Sequence, residues 1–207
     1  EIQNELVIQG YAYDMLVGCS STTFAINNAY SDIASGLANT VLVINPEIST
    51  PFVNYAKRDI HFIFVDGCVA TVISNNKKSN NQYKILDRKL ITKFSNNIRS
   101  DWSYLVRAAS DEKSIEDLLF YQNGNSVFKE VCPMVAEFIT THLKDNNINP
   151  SEVSKFWLHQ ANSRMFNLIV SKFIGTDDFD TSLAPLPIEK FGNLASAGSM
   201  FAFNLHN

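Results

Sequence analysis

Cys19 is the residue of this 207-residue chain whose type and position most clearly suit covalent chemistry. It follows Gly18 at the end of an apolar run, and small hydroxyl residues that favour helix starts come directly after it. Free N–H groups at a helix start stabilise a thiolate and lower the pKa of its thiol. The same groups can hold an oxyanion. The position therefore predicts a nucleophile of lowered pKa, whereas the alternative is a buried small apolar side chain.

Two further polar residues stand at similar turns far along the chain. His159 follows the strand-like stretch 153–158, and Asn193 follows Gly192 before a run of small residues. Each of the three, Cys19 included, precedes a helix-like segment in its own strand-turn-helix unit. This arrangement is what a composite active site between two similar halves requires.

The elements before and after Cys19 follow an alternating pattern. Residues 11–17 alternate as a strand, residues 24–37 carry apolar side chains at helical spacing, and residues 40–44 are a β-branched run. A helix between two such runs is typical of a βαβ unit in a parallel sheet. Cys19 would then lie at the carboxyl edge of the sheet, where open α/β sheets bind ligands. Gly67 is predicted to mark a tight turn before a strand over 69–73.

The second half repeats this plan. Residues 127–143 form an amphipathic helix that Pro133 interrupts or starts, and residues 153–158 are predicted to be a strand. Asn162 is placed as the N-cap of a helix over 163–174 that stops at Gly175. Three parts are therefore expected: an N-terminal half over 1–85, a connecting region over 86–117 and a C-terminal half over 118–207.

Composition excludes several classes of protein. Hydrophobic residues make up 45% of the chain, which can fill a proper core, and the net charge of −4 gives no positive field for nucleic acid or an anionic membrane. Three cysteines without a CxxC pair or a Cys/His cluster argue against a disulfide framework and a metal site. Reduced thiols favour the cytoplasm. No apolar run reaches the roughly 18 residues of a membrane span.

Several motifs, taken together and in order, resemble the β-ketoacyl-acyl-carrier-protein synthase III branch of the thiolase-like condensing enzymes. The matching pieces are the stretch from Tyr13 to Cys19, the Asp66-Gly67 pair, the Trp-Leu-His-Gln-Ala-Asn run over 157–162, and Phe191-Gly192-Asn193. The resemblance implies an α/β fold in which two similar βαβ-based halves form a layered αβαβα architecture, incomplete in this chain. Local sequence is similar to a branch that takes medium-chain acyl primers.

The resemblance also implies a role for each matching residue. Cys19 would accept an acyl group from coenzyme A, and His159 and Asn193 would hydrogen-bond the thioester carbonyl of malonyl-acyl carrier protein as CO2 leaves. The product would be a 3-oxoacyl-acyl carrier protein in fatty-acid biosynthesis, made without a further cofactor. Arg164 and Asn162 would bind the substrate or its acidic carrier protein.

Family members are commonly longer at both ends, so the chain is expected to be a fragment or part of a longer protein, and a homodimer is expected. Two other functions stay open at this point. One is a non-catalytic thiolase-like scaffold, and the other is a cysteine hydrolase, which also uses Cys, His and Asn. Against the hydrolase, no histidine is placed by sequence to deprotonate Cys19.

Overall fold

The computed structural model describes residues 1–57, 60, 62–76, 82–99 and 119–207. Within these ranges it is a mixed α/β structure, as the sequence predicts. The helices are α1 (Ile2–Glu5), α2 (Ser21–Ala34), α3 (Gly124–Asp145), α4 (Ser163–Ile174), α5 (Ile188–Phe191) and α6 (Gly198–His206). The strands are β1 (Thr40–Glu47), β2 (Gly67–Ser74), β3 (Ile98–Arg99) and β4 (Tyr121–Gln122).

The longer helices form where periodicity and capping residues place them. Asn162 caps α4, since its side-chain oxygen accepts a hydrogen bond from the backbone N–H of Met165 at 2.8 Å. Gly175 ends the same helix in the left-handed conformation, with φ of 87°. Helix α3 runs through Pro133 without ending there. None of the helices in the described ranges is long and apolar enough to cross a membrane.

The predicted strands over 40–44 and 69–73 are confirmed as β1 and β2, but the pairing and two other predicted strands differ from the prediction. β1 pairs with β2 in an antiparallel hairpin, with Val43 opposite Thr71, so the expected parallel βαβ unit is wrong within the described residues. Residues 11–17 are not a strand, and Leu16 is 87% exposed. Residues 153–158 are not a strand either, although the N–H of Phe156 donates to the Leu183 carbonyl at 2.8 Å. A strand needs a hydrogen-bonded neighbour along its length, and among the described residues neither segment has one.

Two packed regions hold the described part of the chain together. Helices α3 and α4 pack against each other over an apolar core that includes Phe156 and Phe173, whose ring centroids lie 4.6 Å apart. Helix α2 packs on the β1–β2 hairpin, which also contacts the turn Ala195–Ala197. The predicted division at 86–117 stays a prediction, since residues 100–118 lie outside the described ranges.

Gly67 opens β2 instead of forming the predicted tight turn. Its φ is not in the left-handed region, so no turn geometry requires glycine there. A Cβ at Gly67 would lie 2.4 Å from Cδ2 of Leu194, so a larger residue there would make the Leu194 side chain shift. Leu194 directly follows the candidate site residue Asn193, so the site turn lies against the start of β2.

Candidate active site

The Cys19 turn is a single 3₁₀ turn, Gly18–Ser20, that leads directly into α2. Ser21 closes the turn: its hydroxyl accepts from the N–H of Val17 at 3.0 Å and donates to the Gly18 carbonyl at 2.8 Å. Cys19 is half-buried. The predicted position of the thiol at a helix start is therefore confirmed.

The predicted lowering of the Cys19 pKa is wrong. Burial, followed by the negative charge of Glu47, raises the pKa of the Cys19 thiol to about 11. A backbone hydrogen bond at Cys19 acts in the opposite direction, as expected for a helix start, but it is the smallest of the three effects. The thiol is consequently protonated at neutral pH.

Asn193 is fixed by backbone hydrogen bonds to a neighbouring segment. Its N–H donates to the Ile63 carbonyl at 2.9 Å, and its carbonyl accepts from the N–H of Val65 at 3.1 Å. The preceding Gly192 has φ of 73°, and a Cβ there would lie 2.5 Å from Cγ1 of Val65. Only glycine fits both conditions, which explains why Gly192 precedes Asn193.

The Asn193 side chain is held with its amide group free to donate. Asn193 is 3% exposed, and its Oδ1 accepts from the N–H of Ala195 at 2.9 Å. Because the oxygen is used by the backbone, the Nδ2 group is left as the donor of this side chain. Asn193 can therefore offer a neutral N–H to an oxygen of a bound molecule.

His159 is half-buried and uncharged at neutral pH. Burial lowers the pKa of its imidazole to about 4, and the backbone of Ala195 beside the ring acts in the opposite direction. Its Nδ1 is buried and makes no hydrogen bond to the described residues. This nitrogen can therefore take a hydrogen-bond partner from a bound molecule.

The turn Ala195–Ala197 brings these residues together. Cys19 lies on a turn that packs against it, His159 faces the Ala195 backbone, and Asn193 accepts a hydrogen bond from Ala195. The three residues that the sequence selects, although up to 174 positions apart, thus meet at one turn. A thiol, a neutral imidazole and an amide donor form a set that can take up an acyl group and stabilise an oxyanion.

The other two predicted residues have different surroundings. Asn162 uses its side-chain oxygen to cap α4. Arg164 is exposed in the first turn of α4. The structure does not test a role for either in binding a substrate or a carrier protein. In the described ranges, no group of three His, Cys, Asp or Glu side chains is arranged to hold a metal ion.

Sequence reasoning missed two residues of the site. Ser196 is 2% exposed, and both its backbone N–H and its hydroxyl donate hydrogen bonds to the carboxylate of Glu47. Glu47 carries a signal that could have been noticed, since it is the one charged residue of β1 and stands at its end. Ser196 carries none, because it lies within a run of small residues.

Comparison with known proteins finds similarity to synthases of one kind. A model of the 3-oxoacyl-[acyl-carrier-protein] synthase III family matches residues 13–93. A beta-ketodecanoyl-[acyl-carrier-protein] synthase from Pseudomonas aeruginosa is 46% identical over the whole chain, which covers 59% of that protein. A beta-ketoacyl-[acyl-carrier-protein] synthase III from Campylobacter jejuni is 29% identical over 93% of the chain, or 56% of that protein.

Solved structures show the same fold. The 3-oxoacyl-[acyl-carrier-protein] synthase III from Aquifex aeolicus matches 99% of the chain with a TM-score of 0.82 at 26% identity, and the chain covers 60% of it. The synthase III from Pseudomonas aeruginosa matches with a TM-score of 0.84 at 17% identity, over 61% of its chain. The thiolase-like fold class is therefore confirmed, although its sheets are incomplete in the described residues. The chain spans about 60% of the length of these relatives.

Proposed function

We propose that this chain is a member of the 3-oxoacyl-[acyl-carrier-protein] synthase III family, and that the whole protein condenses an acyl primer with malonyl-acyl carrier protein. The observation that carries the proposal is the meeting of Cys19, His159 and Asn193 at the turn Ala195–Ala197. The product is a 3-oxoacyl-acyl carrier protein for fatty-acid synthesis. The chemistry needs a thiol and two neutral donors and no further cofactor.

The first step loads the acyl group. The Cys19 sulfur forms a bond to the acyl carbonyl carbon, the carbon–sulfur bond to coenzyme A breaks, and coenzyme A leaves as a thiol with the proton that Cys19 gives up. A thiolate is both a good nucleophile and a good leaving group for a thioester. Because the Cys19 pKa is about 11, the sulfur holds its proton when the primer arrives and gives it up, finally to coenzyme A, as the new bond forms.

The second step forms the new carbon–carbon bond. Malonyl loses CO2, and the electron pair of the broken bond forms an enolate whose oxygen accepts hydrogen bonds from His159 and Asn193. The enolate carbon attacks the acyl carbonyl, the bond to the Cys19 sulfur breaks, and the thiolate takes a proton from solvent. The His159 pKa of about 4 makes the imidazole uncharged here, so its donor is the one N–H of the neutral ring. One such donor typically contributes roughly 10²–10³ in rate.

The primer proposed for this protein is of medium length. The 46% identical relative from Pseudomonas aeruginosa is named for a beta-ketodecanoyl product. Since malonyl contributes two carbons to that ten-carbon chain, the matching primer is octanoyl. The similarity of this chain to that relative, along its whole length, supports an octanoyl primer here.

The loading step is tested by intact-mass measurement of the full-length protein after brief incubation with acyl-CoA thioesters from acetyl to decanoyl. We expect one acyl adduct, largest with octanoyl-CoA, that is absent in Cys19→Ala. An adduct that persists in Cys19→Ala would place the acyl group elsewhere. No adduct with any chain length would instead favour a non-catalytic scaffold.

The acidic carrier protein is proposed to bind near Arg164. The guanidinium lies exposed in the first turn of α4, the helix that starts directly after the turn of His159. We expect Arg164→Glu to raise KM for malonyl-acyl carrier protein about tenfold, with little change in kcat. Lys172→Glu, a charge reversal near the other end of α4, is the matched control. Equal effects of both variants would point to net charge instead of a docking site.

We also propose that the protein is a homodimer and that it lies in the cytoplasm. One face of β2 is exposed, with Val72 at 66%, and β2 pairs with β1 alone among the described residues. An exposed apolar strand with an unpaired edge is suited to pair with a second strand. The three cysteines are free thiols, which suits a reducing compartment.

A further inference from the structure

The turn that follows Asn193 contains a residue in an unfavourable backbone conformation. Ala195 has φ of 45°, in the left-handed region that residues other than glycine rarely adopt. Its N–H is the donor that holds the Asn193 side-chain oxygen, at 2.9 Å. A strained residue keeps its conformation only when its surroundings fix it. The groups that fix this turn therefore also fix the direction in which the Asn193 amide points.

Ser196, the middle residue of the turn Ala195–Ala197, is held by two different elements. Its backbone N–H donates to the Glu47 carboxylate at 3.1 Å, and its hydroxyl accepts from Nδ2 of Asn45 at 3.1 Å. Both of these partners lie on β1. Its carbonyl accepts from the hydroxyl of Thr22 at 2.5 Å. The turn is therefore held by β1 through the N–H and side chain of Ser196, and by α2 through its carbonyl.

Thr22 belongs to the helix that begins beside Cys19. It lies in the first turn of α2, three positions after Cys19, and it is 2% exposed. In the part of the chain that the structure describes, its hydroxyl makes the one hydrogen bond between α2 and the turn Ala195–Ala197. Burial strengthens such a bond, because the local dielectric constant is low. The helix of the nucleophile and the turn of the Asn193 donor are thus joined directly.

We propose that Thr22 is a positioning residue whose hydroxyl, by holding the Ser196 carbonyl, fixes the Asn193 donor relative to Cys19. This role rests on the condensation proposed above, in which the Asn193 amide donates to the enolate oxygen. A donor that is fixed in advance stabilises the developing charge without having to reorient during the reaction. Thr22 acts through the turn and not on the substrate, because its hydroxyl proton is already given to Ser196.

The loading step should depend little on Thr22. The Cys19 turn is closed by Ser21, whose hydroxyl bonds to two backbone groups of that turn. These bonds do not involve Thr22. The proposed acylation uses the Cys19 sulfur, whereas the proposed decarboxylation uses the Asn193 amide. Loss of the Thr22 hydrogen bond should therefore slow the second step and spare the first.

The test compares Thr22→Val with Thr22→Ser in the full-length protein. Valine is close to threonine in shape but leaves the Ser196 carbonyl without its donor, whereas serine keeps the hydroxyl. We expect Thr22→Val to lower kcat for CO2 release from malonyl-acyl carrier protein about tenfold, with KM changed less than twofold, since small misplacements have large effects on rate. Acylation of Cys19 by octanoyl-CoA should change less than about twofold. Thr22→Ser should keep both rates within about twofold of the unmodified protein.

Thr23→Val is the matched control, because Thr23 is the next residue of α2 and is exposed. It should leave both rates unchanged. Unchanged CO2 release in Thr22→Val would overturn the proposal. Equal losses in Thr22→Val and Thr22→Ser would overturn it as well, because the hydroxyl would then not be the group that matters. An equal fall of acylation and CO2 release in Thr22→Val would also overturn it, since the damage to the site would be general.

Hydrogen exchange separates this proposal from the condensation itself, because it needs no substrate. The N–H groups of Ala195 and Ala197 are hydrogen-bonded within the turn, at 2.9 and 3.0 Å. In the peptide that contains residues 193–198, we expect these amides to exchange about tenfold faster in Thr22→Val and at the normal rate in Thr22→Ser.

The two hypotheses then fail in different ways. If the unmodified protein takes up no acyl group and releases no CO2, but Thr22→Val still exchanges faster, the condensation is wrong and the hold of Thr22 on the turn stands. If the unmodified protein condenses its substrates and Thr22→Val exchanges at the normal rate, the condensation stands and the role of Thr22 is wrong.

Discussion

Burial acts on the two titratable residues of the site in opposite directions and leaves both uncharged. It raises the pKa of the Cys19 thiol to about 11 and lowers that of the His159 imidazole to about 4. A cysteine hydrolase relies on the reverse, a low-pKa thiolate beside a protonated imidazole. The electrostatics therefore favour the condensing reaction, in which the histidine donates a hydrogen bond and takes no proton from the thiol.

The His159 pKa has a consequence for acid stability. In the unfolded chain the imidazole binds a proton below pH 6.5, whereas in the folded protein it stays neutral down to about pH 4. Because the unfolded state binds more protons in this window, the free energy of unfolding falls as pH drops from 6.5 to 4, by up to about 3 kcal/mol. Urea unfolding at several pH values measures this slope.

The control for this prediction is His159→Gln, which has no titrating group at the position. Its free energy of unfolding should fall less steeply between pH 6.5 and 4 than that of the unmodified protein. Identical slopes in the two proteins would show that other groups account for the acid sensitivity.

At the scale of elements, the longer helices and the positions of β1 and β2 could be predicted from the sequence, whereas the pairing of the strands could not. Asn162 and Gly175 act on neighbouring residues, so their roles can be read locally and are confirmed by α4. Pairing of strands depends on distant segments, which is why 11–17 was wrongly predicted as a strand and β1 was wrongly given a parallel neighbour. The same difference applies to the site. Its turns are local features and could be predicted, whereas the position of Glu47 beside Ser196 depends on how β1 packs in the fold.

The cap of α4 allows a local test of stability. Asn162→Ala removes the oxygen that accepts from the Met165 N–H, and we expect the free energy of unfolding to fall by about 1 kcal/mol. Urea denaturation of the full-length protein is the measurement. Asn162→Asp keeps the capping oxygen and should retain nearly full stability. If this stable variant nevertheless loses activity, Asn162 has a role in binding substrate besides its cap.

At the scale of the whole molecule, the β1–β2 hairpin links the proposed dimer surface to the active site. β2 presents Val72 on its exposed face, and β1 ends in Glu47, which accepts a hydrogen bond from the Ser196 N–H. The same two paired strands thus belong to both regions. We expect the geometry around Ser196 to depend on how well the hairpin is held.

The dimer prediction is tested with Val72→Lys, which places a charge on the exposed face of β2. We expect the full-length protein to shift from dimer to monomer in analytical ultracentrifugation, because a lysine on a strand surface opposes pairing. Leu86→Lys is the matched control, since Leu86 is 77% exposed and lies outside the hairpin. A dimer that survives Val72→Lys would place the interface elsewhere.

The surroundings of Gly192 limit which residues can precede Asn193. Gly192 has φ of 73°, and a Cβ there would lie 2.5 Å from Cγ1 of Val65 and 3.3 Å from the Ile63 carbonyl oxygen. By contrast, a Cβ at Gly67 would meet only the flexible end of the Leu194 side chain, and one at Gly124 or Gly198 would meet open space. Homologues that keep the asparagine turn should therefore retain glycine before the asparagine through long divergence, while the other three positions drift to alanine or serine. This one glycine would mark the asparagine turn in sequences too distant to align elsewhere.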